Sequence, residues 1–146
     1  MDPIPSHLSP AVAKSLETWH AMIASGDLSE LGSIVHPDAF FRSPMAFTPY
    51  GPAPALLMIL QTVCTIFQDF TYHRQFASSD GLNVVLEFSA AVGDKKLNGI
   101  DMIRFDEEGR IVEFEVMVRP LSGLQALGAE MGARLGQHLL AFKGKT

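Results

Sequence analysis

Strict alternation over the second half of the chain limits the fold more than any other feature. Val84, Leu86, Phe88, Ala90 and Val92 occupy every second position, which puts them on one face of an extended strand. Gly93-Asp94-Lys95-Lys96 then turns the chain, and Leu97, Gly99, Asp101, Ile103 and Phe105 share a face of the next strand. Asp106-Glu107-Glu108-Gly109 makes a second hairpin. Beyond it Phe114, Val116 and Val118 alternate with Glu113, Glu115, Met117 and Arg119. The pattern predicts an antiparallel meander of three long strands with one face on a core. Pairing Val92 with Leu97 places both apolar sets on the same side and sets Phe88 opposite Asp101. A β-bulge near Gly109 would reverse the last strand and turn Glu113 and Glu115 inward. Without it they point away from Asp101, as do Arg104 and Arg119.

The first half reads as helices and a short strand. Residues 1–8 form an arm. Ser9-Pro10 starts a helix, because serine can accept a bond from a free backbone N–H and proline suits the first helical position. Val12, Leu16, Trp19 and Ile23 form one face of that helix, and Gly26 ends it. Asp27 caps a second, short helix through Leu31 and Ile34, which His36-Pro37-Asp38 breaks. Ala39 to Ser43 is a short strand, and Pro44 to Pro54 is a proline-rich loop. A helix from Pro54 to Phe67 is apolar nearly all round and therefore buried. Phe70 to Phe76 is a further strand, with His73 sharing a face with Thr71 and Gln75. Residues 122–140 form a final helix with Leu124, Leu127, Met131, Leu135 and Leu139 on one face. Gly128, Gly132 and Gly136 recur along it. They either let another backbone approach, across a dimer for example, or are simply tolerated.

The chain has 146 residues, enough for one domain with a sizeable core. Its net charge is −5 and its basic residues are scattered, which argues against a nucleic-acid surface. Cys64 is the single cysteine, so neither an internal disulfide nor a cysteine-based zinc site is available. The histidines lie too far apart for a local metal motif, and no phosphate-binding or dinucleotide-binding glycine motif occurs, so no metal or cofactor is expected. No basic segment leads into an apolar run at the start, and the longest apolar stretch, Ala55 to Leu60, falls far short of the roughly 20 residues of a membrane span. The expectation is a cytoplasmic protein without membrane or nucleic-acid partners.

Several segments resemble a known family. Trp19-His20-Ala21-Met22-Ile23-Ala24-Ser25-Gly26-Asp27-Leu28 is similar to the first helix and glycine–aspartate junction of the ketosteroid isomerase and SnoaL-like families. Phe40-Phe41-Arg42-Ser43-Pro44 is similar to their first strand. Gly99 to Ile111 resembles their strand–hairpin–strand signature, and Arg119-Pro120-Leu121 followed by a helix resembles a subset of uncharacterised members. The resemblance spans roughly residues 10 to 121. It implies an α+β fold of the nuclear transport factor 2-like, cystatin-like type: a curved antiparallel sheet wrapped around N-terminal helices as a cone, here with an extra C-terminal helix, in a single domain over 1–146. It also implies a homodimer through the outer sheet face and an apolar pocket at the open end.

Carried over residue by residue, the isomerases' strand aspartate falls on Asp101, their helix tyrosine on Trp19 and their base on Ser43. Asp101 is thus the candidate catalytic acid or hydrogen-bond donor, since a carboxylic acid in an apolar pocket is costly to ionise. A structural acid bonded to Trp19 or to backbone is the other reading. Serine cannot shuttle a proton without an activating base, which counts against the steroid isomerase reaction. Trp19, Phe41, Ser43, Tyr50, Phe88, Phe114 and Val116 are the candidate pocket lining. Two functions stay open. One is an isomerase, cyclase, dehydratase or hydrolase acting on a small apolar oxygenated molecule. The other is a non-catalytic binder of such a molecule, or a dimeric interaction domain.

Overall fold

The computed structural model describes residues 4–140, with side chains as far as residue 136. Helix α1 spans Pro10–Ser25. Ser9 Oγ accepts from the Val12 N–H at 3.3 Å, and Gly26, at φ 77°, closes the helix through its N–H to the Met22 carbonyl. The face carrying Val12, Leu16, Trp19 and Met22 is buried. The second helix is shorter than expected. Only a 3-10 turn forms, Leu31–Ile34, because the Asp27 carboxylate caps Ser29 locally and no side chain caps Leu31–Ile34 itself. Strand β1 then runs Val35–Arg42, beginning before His36 rather than at Ala39; His36 Nδ1 accepts from the Asp38 N–H within it. The loop that follows folds back, and Phe41 and Tyr50 exchange both backbone hydrogen bonds. Helix α2 spans Ala53–Ile66, and strands β2 (Gln68–Ala77), β3 (Asn83–Val92), β4 (Lys95–Phe105) and β5 (Ile111–Arg119) follow. Helix α3, Leu121–Leu140, ends the described chain. Leu127 and Leu135 on it are buried, whereas the side chain of Leu139 and the first three residues of the expected arm lie outside the described residues.

The five strands make one curved, unclosed mixed sheet in the order β1-β5-β4-β3-β2, with β1 parallel to β5 and the other pairs antiparallel. The helices cover its inner face. Alternation predicts the faces of β3 and β4 correctly but not their register. Ala90, not Val92, faces Leu97, and Leu86, not Phe88, faces Asp101. The turn has two residues instead of four: Val92 pairs with Lys95, and Gly93 takes φ 60° at the first turn position, a conformation that glycine adopts without cost. The shift is two residues, so every side chain keeps its face. Phe88 now lies over Gly99, where a Cβ would come within 2.5 Å of its ring.

Two bulges decide what reaches the interior. Between β4 and β5, Arg104 pairs with Glu113 while Phe105 pairs with Ile111, leaving Val112 extra. This bulge turns Ile111 inward and leaves Phe114 and Val116 inside, with Glu113 and Glu115 outside. In β2 the pairing slips between Tyr72 and Gln75, so His73 and Arg74 both face out and Gln75 returns to the inner side. Gln75 therefore does not share a face with His73, contrary to simple alternation.

Candidate functional site

A cavity of about 300 Å³ opens between the helices and the inner face of the sheet. That is the lower end of the range for small-molecule sites. Its walls are overwhelmingly apolar: Trp19 and Ile23 from α1, Ile59, Leu60, Val63 and Phe67 around α2, and Phe114 and Val116 from β5. Asp101 projects into it from β4 and is 6 % exposed.

Asp101 is held by one neighbour. Tyr72 donates its phenolic O–H to Asp101 Oδ2 at 2.5 Å, and Trp19 Nε1–H donates to the Tyr72 oxygen at 2.9 Å. The Trp19–Tyr72 bond can run only one way, because indole only donates, and the Tyr72 O–H takes Asp101 Oδ2 as its acceptor. Burial pushes the Asp101 carboxyl up to about 7, and the Tyr72 hydrogen bond acts in the opposite direction. Tyr72 itself is raised well above its ordinary value, by burial and then by the Asp101 charge. Among the described residues no donor reaches Asp101 Oδ1. Cys64 also lines the cavity, but burial, with the Asp101 charge adding, pushes its thiol up to about 12 and leaves no thiolate at neutral pH.

The SnoaL-like domain profile matches residues 16–114 of this chain. The chain belongs to the SnoaL-like domain family. A solved structure from Pseudomonas aeruginosa, described as a steroid delta-isomerase, is 63% identical, with 91% of this chain and 97% of that one covered at a TM-score of 0.87. A cystatin-like protein from Silicibacter pomeroyi is 28% identical, with 94% of each chain covered and a TM-score of 0.79. A nuclear transport factor 2-like protein from Mesorhizobium loti, at 16% identity and a TM-score of 0.66, shares the fold. No protein of curated function matches the chain.

This SnoaL-like cavity brings together Trp19, Phe41, Ser43, Tyr50, Asp101, Phe114 and Val116. Phe88 is not in its wall. It stacks on Phe70 at 5.0 Å and meets Phe67 at 5.6 Å, and those two rings line the cavity in its place. Ser43 Oγ accepts from the Met45 N–H at 3.0 Å, so it orders the loop at the mouth. The anticipated structural bond from Trp19 to Asp101 is not direct, since Tyr72 stands between them. Sequence reasoning missed Tyr72, although its alternation with Phe70 in a strand was visible.

His20 sits behind the Tyr72 ring, edge-on at 5.3 Å, with Nε2 2.9 Å from Gln75 Oε1. Burial lowers its pKa, the Gln75 bond opposes that, and it stays outside the cavity wall. His73 meets Ser89 on the outer face. Among the described residues no three His, Cys, Asp or Glu side chains converge as metal ligands, and no helix is long and apolar enough to cross a membrane.

Proposed function

We propose that this SnoaL-like protein binds an apolar molecule carrying a ketone or hydroxyl, and that protonated Asp101 donates a hydrogen bond to that oxygen. The Trp19–Tyr72–Asp101 chain carries the reading. The Trp19 N–H occupies the Tyr72 oxygen, and the Tyr72 proton points to Asp101 Oδ2. Oδ2 is then an acceptor in either protonation state, so the acid's own proton sits on Oδ1. The buried acid thus presents an O–H to the cavity, where it can polarise a carbonyl and stabilise negative charge developing on its oxygen.

The Pseudomonas aeruginosa relative makes a ketosteroid the first substrate to offer. Moving a double bond in such a molecule also needs a group that takes a proton from carbon and returns it. Asp101 is the only carboxyl among the described residues lining the cavity, and by the family resemblance the base position falls on Ser43. One carboxyl cannot hold the carbonyl and shuttle the carbon proton in a single pose. The supported chemistry is therefore carbonyl polarisation, as in a dehydration or in cyclisation of an already acidic substrate. The lone carboxyl equally favours a second reading, a binder without turnover.

The test pairs a β,γ-unsaturated ketosteroid with wild type, Asp101→Asn and Asp101→Ala. Binding is read by thermal shift and formation of the conjugated enone by ultraviolet absorbance. The Asn amide keeps an N–H donor toward the cavity, so binding should survive in that variant and fall about tenfold in Asp101→Ala, the worth of one hydrogen bond. Binding without enone formation is expected, since Asp101 is the one carboxyl of the described lining; enone formation that vanishes in both variants would show instead that a proton-shuttling base joins Asp101. Unchanged binding by Asp101→Ala would remove Asp101 from the site.

A further inference from the structure

Helix α3 presents Gly128, Gly132 and Gly136 to the cavity, together with Leu127 and Met131. The spacing of four keeps the three glycines close to one edge of the helix. Glycine inside a helix weakens it relative to alanine, so three in succession call for a reason. Gly128 has one: a Cβ there would stand 2.5 Å from Met45 Cε, whose side chain packs into the notch. At Gly132 and Gly136, both exposed, packing gives none, because a Cβ at either meets no atom of the described residues within 4 Å. The helix forgoes stability there and gains open space beside the cavity. An independent observation points to a ligand in that cavity, namely the buried Asp101 carboxyl, whose Oδ1 meets no donor among the described residues.

We propose that the glycine edge of α3 is the specificity-determining wall of the cavity, against which the apolar body of the ligand lies on bare helix backbone while its oxygen meets Asp101. This rests on the ketone-binding reading of Asp101 and adds a size class to it. From Gly128 to Gly136 the edge is about 12 Å long at 1.5 Å per residue. A fused-ring body uses that length, and a single ring does not. Gly132 and Gly136 are positioning residues for the ligand, and Met45 is the adjustable side chain that closes the same wall near the mouth.

The experiment measures the binding of acetophenone, acetylnaphthalene and acetylphenanthrene, one ketone on a growing ring system. The signal is quenching of Trp19, which lines the cavity. Wild type, Gly132→Ala, Gly132→Leu, Gly136→Leu and Asp101→Ala are compared. Both Leu variants should lose acetylphenanthrene by about tenfold or more, the scale on which a tight apolar pocket rejects added bulk, with acetophenone nearly unchanged. Asp101→Ala should weaken all three ketones alike. Gly132→Ala should raise the melting temperature, because it strengthens the helix without a clash. Equal losses across the ring series, or none, in the Leu variants would overturn the wall while leaving the Asp101 reading intact. A lower melting temperature for Gly132→Ala would show that the glycine serves packing, and would overturn it too. Failure of all three ketones to bind wild type would sink the Asp101 reading and this inference with it.

Discussion

Asp101 and Glu113 are both buried carboxyls of one sheet, 6 % and 9 % exposed, and they face opposite ways. Glu113 lies on the outer face between two guanidinium groups. Its Oε1 accepts from Arg42 Nε at 3.0 Å and its Oε2 from Arg104 Nη2 at 2.6 Å. Asp101 lies on the inner face with one neutral donor on one oxygen and an apolar cavity before the other. Similar burial therefore has different consequences. A buried carboxylate whose oxygens both meet cations ties strands β1, β4 and β5 together. A buried carboxyl without a cation keeps its proton up to about pH 7 and can offer it in a hydrogen bond. Burial alone does not mark a candidate acid; burial without a counter-charge does.

The largest effect expected from this contrast is on stability against pH. Asp101 has a folded value of about 7 and an unfolded value of about 3.9. Protonated Asp101 thus contributes stability that is fully present below about pH 4 and is lost as pH rises through 7. Asn at this position keeps an acceptor for Tyr72 and cannot ionise. Relative to wild type, Asp101→Asn should gain on the order of 4 kcal/mol between pH 4 and pH 8, from three units at 1.36 kcal/mol each. Carboxylates held low by hydrogen bonds, such as Glu87 on Arg74, stay in both proteins and cancel in the difference. Urea unfolding at a series of pH values measures it. A difference that does not change with pH would mean that Asp101 is ionised throughout, and the contrast with Glu113 would collapse.

Glu113→Gln should act in the other sense. It removes two charge-assisted hydrogen bonds, each part of an ion pair whose arginine remains partly in water, so a loss of about 1.5–3 kcal/mol is expected at neutral pH. The loss should shrink in high salt, since the arginines are accessible to screening. Ketone binding should stay as in wild type. Denaturant unfolding in low and high salt gives the first two readouts. A variant as stable as wild type would show that the outer carboxylate is not held by its cations.

Much of this contrast was legible in the sequence, and the rest was hidden for definite reasons. Alternation gave Asp101 its inward face and Glu113 its outward one, because parity survives a hairpin shift of two residues. The same argument misplaced the Val92–Leu97 pairing, since turn length depends on which turn residue adopts positive φ. It also placed Phe88 in the pocket wall, because period two distinguishes inside from outside but not the first layer beneath a cavity from the second. Tyr72 was missed because its strand carries a bulge and few apolar residues, and its role appears only once β2 is placed beside β3 and α1. The spacing of the α3 glycines left open whether another backbone approaches them or the helix simply tolerates them; within the chain, Met45 comes close to Gly128 and all three glycines line the cavity.

The smallest effect tests whether the neutral donors on Asp101 form a chain. Trp19 is the only tryptophan, and its N–H supports the Tyr72 hydroxyl rather than the carboxyl. A phenol whose oxygen already accepts a hydrogen bond donates a stronger one. Trp19→Phe should therefore cost about 1 kcal/mol for a lost neutral hydrogen bond, apart from any packing loss. It should also weaken the Tyr72 contact that holds the Asp101 value down. The pH at which wild-type stability levels off should then move upward in Trp19→Phe, whereas Glu113→Gln should leave it in place. The same urea series read at alkaline pH separates the two. An unmoved midpoint in Trp19→Phe would confine the tuning of Asp101 to Tyr72 and to burial, and would make Trp19 a wall of the cavity alone.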